Sequence, residues 1–316
     1  MPTPFVRDCW FLTGPTACGK TAVGVELAQR LSAEIVSVDS MALYRGMDIG
    51  TAKPTAAQRA AVPHHVVDVI DPHEEFSLAD YLDAARRAVD EIRARGRVVL
   101  FVGGTPLYLK GLLRGIFEGP AADWGLRRRL QEENAGEPGL LHRRLAEVDP
   151  AAAAKLHPND LRRIVRALEV YHATGRPISA WQEQFERVTP AEQCRVFVLT
   201  RPREDLYARI DARVDAMFAG GFVEEVRRLS VGPRAPSRTA LQALGYHEVA
   251  EYLQGRQSLS GTIDLVKVHT RQFAKRQLTW FRSLAECRPV EVAPGQSTSH
   301  LAEQILATGR DATPPM

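Results

Sequence analysis

Gly14-Pro15-Thr16-Ala17-Cys18-Gly19-Lys20-Thr21 meets the pattern G-x-x-x-x-G-K-[ST] at every fixed position. Ahead of it, Cys9-Trp10-Phe11-Leu12 is a short apolar run of strand character. Behind it, Ala22 to Leu31 places Val23, Leu27 and Leu31 on one face of a helix. Strand, glycine loop and helix are the setting in which the motif acquires a physical meaning. Successive backbone N–H groups of the loop, with the free N–H groups of the helix start, form a concave positive site for an anion. Lys20 adds a point charge toward phosphate oxygens, and Thr21 a hydroxyl for a magnesium ion. A phosphate or diphosphate belongs here, and the motif does not say whose.

Outward from the loop the alternation repeats. Glu34-Ile35-Val36-Ser37-Val38 predicts a second strand ending at Asp39-Ser40, and Arg97 to Val102 a third, closed by Gly103-Gly104-Thr105. Between them, Met41 to Pro54 is loop-like, broken by Gly46, Gly50 and Pro54, and a helix runs from Ser77, its N-cap, to Gly96. Apolar strands alternating with helices predict an α/β fold, a P-loop NTPase-like parallel sheet flanked by helices on both faces. From about Gly119 to Pro190 the chain turns charged and helical, in Leu126–Glu133, Leu140–Glu147 and Asn159–Ala173. Residues 119–190 are therefore expected to form an all-helical insertion in a catalytic core of residues 1–118 and 191–316. Cys194 to Leu199 returns to strand character. Helices follow at about Arg203–Met217, Phe222–Leu229, Gly245–Leu253 and Ile263–Phe281, and the polar tail after Val292 is expected to fray. Ligands of open parallel sheets bind beyond the carboxyl ends of the strands, which gathers Gly14, Asp39-Ser40 and Gly104-Thr105 at one crevice.

Composition narrows the classes. A length of 316 residues predicts one large domain plus an insertion or second lobe. The net charge is only +3, so any nucleic-acid surface must be a local patch. Cys9, Cys18, Cys194 and Cys287 show no C-x-x-C spacing, which suggests neither a zinc site nor a disulfide framework. With the loop starting at residue 14 there is no room for a signal peptide, and no apolar run approaches membrane-spanning length. A cytoplasmic protein with reduced thiols and no membrane partner is expected.

A nucleotide hydrolase of this class carries an aspartate on magnesium at the end of a second strand. The most apolar strand here ends in Gly103-Gly104-Thr105 instead, and only Glu34–Val38 ends in a carboxylate, Asp39. Asp39 suits a magnesium holder, a base acting on a nucleophile beside the bound phosphate, or a helix cap. Near the C-terminus, Lys267, Arg271 and Lys275 recur every four residues, and Ile263, Val266, Phe273 and Trp280 predict an apolar stripe. Between Gly261 and Ser283, five Lys and Arg residues stand against Asp264 alone, a charge balance that suits phosphate contact.

The stretch from Val38 to Pro54, Val-Asp-Ser-Met-Ala-Leu-Tyr-Arg-Gly-Met-Asp-Ile-Gly-Thr-Ala-Lys-Pro, closely resembles the signature of tRNA dimethylallyltransferases. Those enzymes prenylate the N6 amine of the adenosine just 3′ of the anticodon. The resemblance takes in Gly14–Thr21, Pro63-His64-His65, Asp71-Pro72, Gly103-Gly104-Thr105 and His157-Pro158-Asn159-Asp160. It continues through Arg166-Ala167-Leu168-Glu169-Val170, Gly245-Tyr246 and Lys275-Arg276-Gln277-Leu278-Thr279-Trp280-Phe281-Arg282, covering nearly the whole chain in order.

The resemblance implies that the loop holds the diphosphate of dimethylallyl diphosphate, with Lys20 and Thr21 on that group and its Mg2+, Thr21 either directly or through a water. It implies Asp39 as the base on the adenine N6, Thr105 as a hydroxyl at the reacting centre, and Arg213 on the leaving diphosphate. For the tRNA anticodon stem-loop it implies contacts from Asp39, Ser40, Met41, Ala42 and Thr105, and from Arg127, Arg162, Arg163, Ile164, Val165 and Arg166 in the insertion. Further contacts fall on Gln242, Ala243, Leu244, Gly245, Tyr246 and His247, and on Lys275 to Arg282 (Lys275, Arg276, Gln277, Leu278, Thr279, Trp280, Phe281, Arg282). A monomer is expected. The sequence departs from the family in carrying Cys18 where serine is common, in Leu-Arg-Arg-Ile-Val at Leu161–Val165, and in lacking the eukaryotic members' zinc finger. Three alternatives share parts of the pattern: a small-molecule kinase, an isopentenyltransferase on free adenine nucleotide, and a non-catalytic RNA-binding module.

Overall fold

The computed structural model describes residues 4–117, 119–181, 189–231, 234–310 and 312. The expected domain boundary at residue 118 and the stretch 182–188 of the insertion lie outside the described residues. In chain order the elements are β1 (Trp10–Thr13), α1 (Lys20–Leu31), β2 (Ala33–Val38), α2 (Ala56–Ala61), β3 (His64–His65), α3 (Leu78–Ala94), β4 (Val98–Gly103) and α4 (Pro106–Arg114). There follow α5 (Trp124–Gly136), α6 (Leu140–Val148), α7 (Pro150–Lys155) and α8 (Leu161–Thr174). The chain then returns through β5 (Val196–Thr200), α9 (Arg203–Ala219), α10 (Phe222–Ser230), α11 (Tyr246–Leu253), α12 (Leu259–Arg282), β6 (Cys287–Glu291) and α13 (Thr298–Arg310).

The six strands form one sheet in the order β3-β2-β4-β1-β5-β6, with every pairing parallel. The expected α/β class with a P-loop-like parallel sheet holds. β1, β2 and β5 are buried along almost their whole length, as strands covered on both faces must be, which is why they read as largely apolar runs, with Glu34 and Ser37 the buried polar exceptions in β2. Trp10, Leu12, Leu27, Ile35, Leu100, Phe197 and Leu199 belong to the main core. Helix α3 starts where its capping box predicts: Ser77 Oγ accepts from Asp80 N at 3.2 Å, and Asp80 Oδ2 accepts from Ser77 N at 2.8 Å.

Two compact units divide the chain, residues 1–113 with 189–316, and residues 114–188. Among the described residues of the second unit, α5 to α8 are its regular helices, and Leu130, Leu141, Leu145, Ile164, Val165 and Leu168 make a core of their own.

Three expectations need correction. Within the tail after Val292, Thr298–Arg310 is an ordered helix: α13 buries Leu301, Ala302, Ile305 and Leu306, a stripe narrow enough to be lost among polar neighbours, and Arg30 of α1 donates to Ser299 at 2.5 Å. Two edge strands were unforeseen, β3 because it is two residues long, and β6 because Pro289 interrupts its pattern, which an edge position tolerates. The buried face of α12 is Thr262, Val266, Thr270, Ala274, Gln277 and Phe281, whereas Trp280 is 42% exposed. Polar residues at three of those positions hide the true face from a hydrophobicity count.

Candidate active site

The phosphate loop joins β1 to α1. Gly19 is the N-cap of α1 and has no side chain to cap it, so the first N–H groups of the helix are left for a ligand. Gly14 (φ 144°) and Gly19 (φ 102°) occupy backbone conformations that favour glycine. A methyl group on Gly14 would stand 2.6 Å from the carbonyl oxygen of Leu199 on β5.

The outer side of the loop is gripped by arginines. Arg201 Nε donates to Cys18 O at 2.9 Å, Arg209 Nε to Ala17 O at 3.0 Å, and one Arg213 nitrogen to Thr16 Oγ1 at 3.0 Å. These bonds fix the carbonyls of Ala17 and Cys18, while the Cys18 N–H between them donates to Pro15 O at 3.4 Å and closes a turn. Lys20 Nζ rests on Pro15 O at 2.7 Å, and burial, opposed by the charge of Asp39, lowers its pKa. Burial likewise lowers that of Arg213.

Sequence reasoning found Arg213 but missed Arg201 and Arg209. The signal was present: Arg209 and Arg213 are four apart on α9, hence on one face. Cys18 is wholly buried.

The ends of three strands meet here. Thr13 Oγ1 donates to Gly103 O at 2.8 Å. Thr105 N donates to Val38 O at 3.0 Å, and Thr105 Oγ1 accepts from Ser40 N at 3.1 Å. Asp39, between Val38 and Ser40, accepts from Met41 N at 2.9 Å and Ala42 N at 3.3 Å through Oδ1. Its Oδ2 has no hydrogen-bond partner among the described residues. A methyl group on Gly104 would lie 3.4 Å from Lys20 Nζ, so the glycine lets the end of β4 close on the lysine. Tyr81 and Tyr108 stack nearby, ring centroids 3.9 Å apart, and Tyr81 donates to Ser37 O at 2.9 Å. Burial first, then the charge of Asp39 among others, pushes both phenols up.

The loop after Asp39 is held by two buried charges that sequence reasoning missed. Glu225 on α10, 1% exposed, accepts from Asp48 N (2.8 Å), Ile49 N (2.7 Å), Gly50 N (3.0 Å) and the Tyr246 hydroxyl (2.6 Å). Lys53 pairs with Asp48 at 2.8 Å and Asp68 at 2.6 Å and also donates to Tyr44 O.

The residues expected at RNA differ in exposure. Ala42, Ile164, Val165, Ala243, Gly245, Tyr246, Gln277 and Phe281 are buried, so their side chains have no surface to offer. Leu244, Leu278 and Met41 are half-buried. Gln242, His247, Lys275, Arg276, Thr279, Trp280, Arg282, Arg162 and Arg163 are exposed. In the helical unit Arg127 and Arg166 both pair with buried Glu169, the former through two bonds of 2.8 Å. On α12, Lys267 pairs with Asp215 at 2.6 Å and Arg271 with Asp211 at 3.0 Å, which consumes two of the five charges counted there. No helix among the described residues is long and apolar enough to cross a membrane.

Comparison with known proteins shows the family. The family model described as IPP transferase matches residues 42–284. Over 286 residues the chain is 51% identical to the tRNA dimethylallyltransferase of Syntrophobacter fumaroxidans, covering 89% of this chain and 83% of that one. The full-length tRNA isopentenylpyrophosphate transferase of Bacillus halodurans matches with a TM-score of 0.70 at 38% identity, over 97% of this chain and 98% of that one. A eukaryotic dimethylallyltransferase solved acting on tRNA matches with a TM-score of 0.78 at 26% identity, over 98% of this chain and 80% of that one. A match that runs from the loop after Asp39 past the end of the basic helix, within relatives aligned over most of their length, can be stated in one way: this chain belongs to the IPP transferase family.

Proposed function

We propose that this protein is a tRNA dimethylallyltransferase, moving a dimethylallyl group from dimethylallyl diphosphate to the N6 amine of the adenosine 3′ of the anticodon. The observation that carries the reading is the apposition of Lys20, at the phosphate loop, with the strand ends that bear Asp39 and Thr105. In the transfer, the C1–O bond of the donor breaks and its electron pair leaves with diphosphate, while a bond forms from N6 to C1. The N6 lone pair is delocalised into the adenine ring, so a base that takes a proton as the bond forms lowers the barrier. Asp39 is that base through its free Oδ2. Thr105, tied to Ser40, orients the amine or a diphosphate oxygen.

Charge that builds on diphosphate is met by loop N–H groups, Lys20 and Arg213. Thr21 lies in the first turn of α1, and its hydroxyl has no hydrogen-bond partner among the described residues. A hydroxyl beside diphosphate oxygens fits a hard cation, and Mg2+ bound there would neutralise part of the diphosphate charge.

The adenosine must leave its stack to reach this crevice, which costs a few kcal/mol and least in a single-stranded loop. Lys275, Arg276 and Arg282 are exposed on α12 with no ion-pair partner among the described residues, beside Trp280, and we assign them to the anticodon stem-loop. Arg162, Arg163, Gln242 and His247 are assigned to the same partner, residues 114–188 acting as its second grip.

The test is transfer of label from dimethylallyl diphosphate to tRNA, AMP or nothing. Label should move only to tRNA, and Asp39→Asn should lower the rate roughly 100-fold or more while RNA affinity survives. Transfer to free AMP, or full turnover in Asp39→Asn, refutes the assignment.

A further inference from the structure

The amide of Gln277 lies inside the crevice although the residue belongs to the basic helix. Its Oε1 accepts from Thr16 N at 2.9 Å and its Nε2 donates to Gly104 O at 2.6 Å, with the residue 3% exposed. A methyl group on Gly104 would stand 2.8 Å from that Nε2, 3.3 Å from Gly14 O and 3.4 Å from Lys20 Nζ. Amide, loop carbonyl and lysine therefore crowd a single glycine. Thr16 is held twice, its N–H by Gln277 of α12 and its hydroxyl by Arg213 of α9.

We propose that Gln277 is a positioning residue for the transfer, its amide keeping the phosphate loop in register with the end of β4 that carries Thr105. Contacts run without a gap from Thr16 through Gln277 to Gly104, and from the adjacent Thr105 to Ser40, the neighbour of Asp39. Donor loop and base are thereby set at a fixed separation, on which an in-line displacement depends steeply. The chemistry needs an amide. One end must accept from an N–H and donate to a carbonyl at once, which neither a carboxylate nor an alkyl group does. The role rests on reading Gly14–Thr21 as the diphosphate loop and Asp39 as the base. It replaces the RNA contact that the position of Gln277 in Lys275–Arg282 implies.

Two variants test it in the full-length protein. Gln277→Leu keeps the volume and removes both bonds, whereas Gln277→Glu keeps the acceptor, loses the donor and sets a negative charge near Lys20. Steady-state kinetics with dimethylallyl diphosphate and an anticodon stem-loop RNA are read beside calorimetric binding of inorganic pyrophosphate, per folded molecule. Gln277→Leu should lower kcat ~10-fold or more, weaken pyrophosphate several-fold and leave KM for RNA within about twofold. Gln277→Glu should weaken pyrophosphate further.

A raised KM for RNA with kcat and pyrophosphate affinity intact overturns the proposal, because Gln277 is then an RNA contact. Loss of thermal stability alone, with wild-type kcat and pyrophosphate affinity, overturns it as well. If Gln277→Leu does not fold, Gln277→Glu decides by the same readouts. Lys20→Ala separates the premises. If it leaves pyrophosphate affinity unchanged, the loop reading fails and the proposal with it. If Lys20→Ala abolishes binding while both Gln277 variants are silent, only the role of Gln277 falls.

Discussion

Replacing Glu225 by Gln removes a charge and almost no volume, yet the hydrogen-bond pattern around it forbids a clean exchange. All four partners of the carboxylate approach as donors: the N–H groups of Asp48 and Ile49 at Oε2, and Gly50 N–H and the Tyr246 hydroxyl at Oε1. An amide has one acceptor oxygen. Keeping it toward Asp48 and Ile49 points the NH2 group at Gly50 N–H, which cannot accept, and at Tyr246, whose hydroxyl can turn round. One buried N–H is left unpaired, at a cost of about 1–3 kcal/mol, and the three surviving bonds fall from charge-assisted strength, roughly 1.5–3 kcal/mol each, to roughly 0.5–1.5 kcal/mol. Relief from burying a charge offsets part of this, so the net loss is about 3 kcal/mol. Tyr246→Phe deletes one bond and should cost about 1 kcal/mol. Urea unfolding measures both. Hydrogen exchange of a peptide spanning residues 47–53 locates the effect, which should appear as lost protection at Asp48, Ile49 and Gly50. A Glu225→Gln protein within about 1 kcal/mol of wild type, with those amides still protected, would refute the account.

Two other perturbations have signs set by the charges described. Glu34, the second residue of β2, accepts from Arg95 at 3.0 and 2.8 Å, and that bonding, aided by His65, holds its pKa down at about 2, against 4.5 for a free carboxyl. Because the folded value is the lower one, the stabilisation is complete above about pH 4.5 and fades as the pH falls toward 2. Arg95 is half-exposed, which limits the effect to about 1–2 kcal/mol, so the stability gap between wild type and Glu34→Gln should narrow over that window. A gap independent of pH would contradict it. On α12, Lys275→Ala and Arg282→Ala should each reduce the slope of log K against log salt for anticodon stem-loop RNA by roughly 0.7–0.9. Lys267→Ala and Arg271→Ala, whose charges pair with Asp215 and Asp211, should leave the slope as it is.

The glycine loop and the four central strands were legible because each is specified locally, by a fixed spacing or a largely apolar run, whereas Asp39 was singled out by its place at a strand end and given a role only by the family resemblance. What escaped is specified by partners distant in sequence. Glu225 and Gln277 sit on helices where a polar residue reads as solvent-facing, and only the 177-residue separation of Asp48 from Glu225, or the 261-residue separation of Thr16 from Gln277, closes the bonds that explain their burial. Lys267 and Arg271 erred the opposite way: their four-residue period marked a basic face, and aspartates on α9 neutralise it. Edge strand β6 and helix α13 were lost because their apolar positions are few and Pro289 breaks the pattern.

The strand order also dictates a sequence of events. β1 is flanked by β4, some ninety residues on, and by β5, whose Val196 pairs with Phe11. Between β4 and β5 the chain makes a unit whose helices pack on one another across short separations. Local contacts form early and distant parallel pairings late. A nascent chain should therefore finish its detour before it can close the centre of its sheet, leaving the β5 side of β1 unpaired until Val196–Thr200 has been made.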